Sequence, residues 1–203
     1  MRNRLSLFFL LLMFGSALFA SAYEEGYQAG YLDGLLGYPN IYEVSDAQEI
    51  QEDEFGMWKI GKYVDSFGDL LDEGYVINKN YIGGTFSNSA THNSELGVDF
   101  LIGKNYISLM LYEYGSSRIT GSVKYPTKYV IGVKAQNGEV YRFSGENFSD
   151  RIMITTVDVP RLLELLSSGG MLKFNITQSD RPITNYNFII PNGKGLLEAI
   201  EEL

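Results

Sequence analysis

The sequence predicts an α+β domain, mostly antiparallel β, built as a sandwich or a strongly bent sheet. About nine or ten strands are expected, with two short helices, one of them C-terminal. Two observations carry this. From Trp58 onward, apolar residues alternate with a period of two in run after run, separated by turns rich in Gly, Asn and Asp. Helical spacing occurs only twice in that region, after Asp158 and at the C-terminus. The 203 residues include no cysteine, so thiol catalysis, disulfides and cysteine-based zinc sites are excluded and stability must come from packing.

Taken in order, the chain opens with a secretory pattern over residues 1–22. Arg2 and Arg4 form a basic start, residues 5–14 an apolar core, and Ala20, Ser21 and Ala22 a small-residue cleavage motif. Export to the periplasm or the medium follows as an expectation, with no membrane-spanning segment left after cleavage. Residues 23–54 read as an arm. Tyr23, Tyr27 and Tyr31 alternate with Gly26, Gly30 and Gly34, which on a helix would make two adjacent stripes. One reading is a close-contact face for self-association over residues 23–37; the other is an exported N-terminus without fixed structure. Residues 23–57 hold nine acidic residues and no Lys or Arg, whereas residues 58–203 hold 16 acidic and 14 basic residues. The net charge of −9 therefore sits in the arm, and nothing resembles the basic footprint of a nucleic-acid binder.

Residues 55–203 read as one globular domain. Residues 58–64 alternate like a half-buried strand, residues 65–69 turn, and 74–77 make a short strand. In residues 106–114 both faces are apolar, as expected for a strand inside the sheet. Tyr129, Ile131 and Val133 line one face of the next strand, and Asn137-Gly138 signals a two-residue hairpin returning through residues 140–143. Residues 151–156 form a further strand. Asp158 is placed as an N-cap with Pro160 in the first turn, and Gly169-Gly170 ends that helix. Strands over 172–176 and 186–190 and a helix over 196–203 complete the order.

The densest cluster of small polar side chains lies between Gly83 and Ile102 and holds His92, the only histidine. Ser87, Asn88, Ser89, Thr91 and His92 are the candidate ligand-binding residues. The same types also satisfy their own backbone at turns. A Ser-His-Asp triad would require His92 as its base, but triads are defined by geometry and seldom assemble on one loop, so no catalytic residue is assigned. Asp65, Asp69, Asp72 and Glu73 lack the spacing of a calcium loop and read as a capped turn; no metal or cofactor is expected. The 15 Tyr and 12 Phe read first as cross-strand packing.

Trp58, the run from Asp65 through Ser66, Phe67 and Gly68 to Asp69, and the run from Gly84 through Phe86 and Asn88 to Thr91 together resemble a recurrent domain of exported bacterial proteins. A late aromatic strand with Tyr186 and Phe188 adds to the resemblance. It implies a folded exported domain over residues 58–203 and carries over no site residues. The reading is an exported, non-enzymatic binding or structural module of the bacterial cell envelope, its partner an unknown protein or envelope component. The alternative is a carboxylate-dependent hydrolase of envelope polymers acting through Asp65, Asp69 and Asp99, which two facing carboxylates across a cleft would favour.

Overall fold

The structure, a computed structural model, describes residues 55–203 apart from 123, 181 and 182. The secretory segment and the arm lie outside the described residues. Eleven strands and two helices follow one another among them. They are β1 (Trp58–Val64), β2 (Leu70–Asn78), β3 (Ile82–Ser87), β4 (Ser94–Gly103), β5 (Tyr106–Glu113), β6 (Ser117–Arg118), β7 (Thr127–Lys134), β8 (Val140–Phe148) and β9 (Arg151–Ile154). The helix α1 (Val159–Ser167) comes next, then β10 (Leu172–Gln178), β11 (Asn185–Ile190) and the helix α2 (Leu196–Glu201).

The expected sandwich or bent sheet is corrected to a closed barrel. Eight strands pair antiparallel around a ring, β3-β11-β10-β7-β8-β9-β5-β4 and back to β3. Closure depends on strands that share an edge. One edge of β4 pairs with β3 over Ser94 to Val98 and then with β2 at Leu101 and Ile102. One edge of β5 pairs with β9 at Ser108 and Leu109 and with β6 at Tyr112 and Glu113. Thus β1, β2 and β6 lie outside the ring. Alternation along a strand reveals which side chains face inward, but not which strand lies beside it, and a ring and a sandwich share that pattern.

The interior is filled with side chains. Phe174 and Phe188 stack at 4.6 Å, and the edge of Phe100 meets both, at 5.9 and 6.1 Å. Trp58 packs edge-on against Phe100 at 6.0 Å, and its indole donates to the Gly193 carbonyl at 2.9 Å. Both helices leave the barrel at the same end, where Leu162, Leu166, Leu196 and Ala199 are fully buried in this core. Each of the three leucines contributes roughly 1.5–3 kcal/mol by leaving water. Gly193 is required there, because a Cβ would run into the Leu166 carbonyl oxygen.

Strands β4 and β5 are buried on both faces, in agreement with the apolar pattern of β5. Outside the barrel, Leu101, Met110, Tyr112 and Met153 form a second buried layer with Tyr63 and Tyr75 of the β1–β2 hairpin. The rings of Tyr63 and Tyr75 lie 4.9 Å apart, and the hydroxyls of Tyr63 and Tyr106 share a hydrogen bond.

Two local expectations change. Asp158 precedes α1, but its carboxylate accepts from the Ser144 amide at 2.8 Å instead of capping the helix. The Asn137-Gly138 hairpin is longer than two residues: Gly138 donates to the Ala135 carbonyl, Ala135 to that of Glu139, and Gly138 takes a φ of 91°. This is a four-residue turn with a glycine bulge. The β1–β2 turn repeats it, with Gly68 donating to Asp65, Asp65 to Asp69, and a φ of 89° at Gly68. Among the described residues no helix is long and apolar enough to cross a membrane.

Candidate binding face

The candidate residues from the sequence lie on the β3–β4 loop, at the barrel end opposite the helices. Asn88 Oδ1 accepts from the amides of Ala90 and Thr91, at 2.8 and 3.0 Å, and the Asn88 amide donates to the Thr91 carbonyl. Ser87 Oγ accepts from the Asn93 amide at 2.9 Å and lies 3.2 Å from His92 Nδ1. The hydroxyls of Thr91 and Ser94 share a hydrogen bond. Ser89 and His92 are exposed, and Phe86 is fully buried beneath the loop. Ser87, Asn88 and Thr91 therefore spend their polar groups on the loop itself, while Ser89 and His92 remain at its surface.

Below this loop lies a polar layer at the barrel end. The Tyr186 hydroxyl donates to Glu113 at 2.9 Å; burial and the nearby Glu113 carboxylate push that phenol well above its usual range. Tyr129 is also buried here, and that burial raises its phenol above its usual range. The Asn147 Oδ1 is buried without a hydrogen-bond partner.

The three candidate acids are not brought together. Asp65 Oδ1 accepts from the amides of Phe67 and Asp69, so both aspartates belong to the β1–β2 turn. From that turn to the β2–β4 contact at Ile77, the chain travels roughly 20 Å of extended strand. Asp99 is buried on the outer face of β4 and accepts from Asn78 Nδ2 at 2.8 Å. Burial raises its carboxyl, offset only in part by Asn78 and Arg118. Arg118 donates to the Tyr112 hydroxyl at 2.9 Å and pairs with Asp150, which also binds Arg151 at 2.8 Å. Burial works to raise the Asp150 carboxyl, but Arg151 and Arg118 outweigh it and hold it below its usual value. Burial lifts the Tyr112 phenol to about 12. Among the described residues no group of three or more His, Cys, Asp or Glu is arranged to hold a metal ion.

An open groove of about 550 Å³ crosses the outer wall of β8, β7, β10 and β11. The register lines up Arg142, Gly132, Asn175 and Asn187 side by side across four strands. Gly132 forms the floor because it has no side chain, and the neighbouring row places Lys134 directly opposite Lys173. Asn175 Nδ2 donates to Asn187 Oδ1 at 2.8 Å. The lining carries cations, amides and hydroxyls, and no carboxylate or histidine. Reading along the sequence missed this face, because its cations come from three strands. The available signal was the polar member of each alternating pair, such as Lys134 beside Val133 or Lys173 beside Leu172. Comparison with known proteins found no matching family model, no matching curated protein and no matching solved structure.

Proposed function

We propose that the chain is an exported, non-enzymatic binding module of the bacterial cell envelope, whose contact surface is the outer groove across β8, β7, β10 and β11. The observation that carries this reading is the combination of a solid barrel with a shaped, donor-rich outer wall. Aromatic and aliphatic side chains fill the interior, so a ligand has no room there. The groove offers hydrogen-bond donors and positive charge without a general base among its lining residues. The resemblance to exported bacterial domains and the secretory pattern of residues 1–22 support the compartment. Asp65 and Asp69 on one turn, with Asp99 on a distant strand, weigh against the hydrolase reading, which needs two carboxylates on one substrate.

Sedimentation of purified protein with envelope material from a bacterium that exports it tests this. Retention that saturates with protein, without release of soluble polymer fragments, is the expected result. Protein that stays in the supernatant at every ratio overturns the binding reading; release of fragments overturns the non-enzymatic part.

A further inference from the structure

The geometry points to a carboxylate-bearing polysaccharide strand as the ligand of the outer groove, laid across the β-strands rather than along them. This rests on the reading of the chain as an envelope-binding module and names the ligand class for it. Lys134 and Lys173 stand directly opposite one another on neighbouring strands, and Arg142 lies one row away. Like charges directly opposite in a sheet destabilise it. None of the three makes an ion pair among the described residues. An anion placed over the Gly132 floor would neutralise the opposed pair and meet the Arg142 guanidinium.

The nearby acids do not fulfil that role. Glu146 is occupied with Lys128, at 3.9 Å. Glu139 accepts from the Tyr141 hydroxyl at 2.6 Å, and Tyr141 lies on the opposite side of β8 from Arg142. The negative net charge of the whole chain reaches the groove weakly, since exposed charges are screened over about 8–10 Å at physiological salt.

Shape and polarity select the polymer. From β8 to β11 the row spans three strand spacings, roughly 14 Å, which suits a short extended chain. After the Asn175–Asn187 bond, Asn187 keeps its amide donors and Asn175 its carbonyl, a pair that matches sugar hydroxyls. A bilayer surface is flat and could not reach a floor set by a glycine between long side chains.

The test is a titration of the purified full chain with an oligogalacturonate long enough to span the groove. Its carboxyl-reduced counterpart and vesicles of phosphatidylglycerol serve as comparison probes. The acidic oligomer should bind, more weakly as salt is raised, and the neutral one should bind at least about tenfold more weakly. K134Q/R142Q/K173Q should lose about tenfold or more. Gly132→Val should lose binding with every charge retained. Its Cβ meets only the Asn175 carbonyl oxygen, at 3.6 Å, so the barrel should fold. Equal binding of acidic and neutral oligomers, unchanged binding by both variants, or binding of the vesicles alone overturns the proposal. If wild type still sediments with envelope material in any of those cases, the ligand assignment falls and the envelope reading stands. If nothing is bound in either experiment, both fall.

Discussion

Phe86 and His92 sit six residues apart with opposite structural standing. Phe86 is enclosed by Tyr114 and Tyr186, with ring centroids at 5.0 and 6.2 Å, and Phe86→Ala should cost about 3–5 kcal/mol. Asn88→Ala removes the acceptor for two loop amides and should cost about 0.5–3 kcal/mol. His92→Ala should change urea unfolding little, because its ring is exposed. A His92→Ala protein that folds normally and loses envelope binding would move the contact surface to the β3–β4 loop. Asp99 and Asp150 respond to pH with opposite signs. The folded-state carboxyl of Asp99 is raised, so its stabilising contribution is present at low pH and lost as pH rises through the folded value. That of Asp150 is lowered, so its contribution is present at neutral pH and lost as pH falls through the folded value. Asp99→Asn should therefore gain stability relative to wild type between about pH 3 and about pH 7. Asp150→Asn should lose about 1.5–3 kcal/mol at neutral pH and less in acid, as read from denaturation midpoints at the two pH values.

Strands are legible in the sequence because one buried face imposes a two-residue period, as in Leu172, Phe174 and Ile176 of β10. The helix over residues 159–167 was legible for the matching reason, an apolar stripe with Pro160 at its start. The two-residue β6 has too few residues to show any period. Asp158 does not cap the helix because its carboxylate has a competing donor, the Ser144 amide, which is distant in sequence. Composition marks the polar loop before β4 as a feature, yet residue type alone does not separate local hydrogen bonds from ligand contacts. The end of α1 meets the connection after β11 at Gly193. Gly193→Ala would force a methyl group against the Leu166 carbonyl and strain the Trp58 indole bond to the Gly193 oxygen. A loss of about 1–3 kcal/mol is expected, measured by chemical denaturation, with the proposed binding at the outer groove unchanged.

For the whole molecule, the barrel is assembled from residues 55–203, and deletion of residues 23–54 should leave it folded with nearly the same thermal midpoint. Phe55 must be kept, because its carbonyl accepts from the Trp58 amide at 3.1 Å. A truncated protein without a cooperative melt would make the acidic segment part of the folding unit. Closure has a further consequence, which concerns the order in which the chain is made. The last strand, β11, is the stave between β3 and β10, so Tyr186 lies beside Phe86, a hundred positions earlier in the sequence. Until that final stretch exists, β3 and β10 each present a bare edge, and a bare edge invites pairing with another chain. A nascent chain cannot complete the ring piecemeal from its N-terminus, because the closing contact is among the most distant in sequence and among the slowest kind to form. Only a chain that already includes β11 lets both edges find their common partner together.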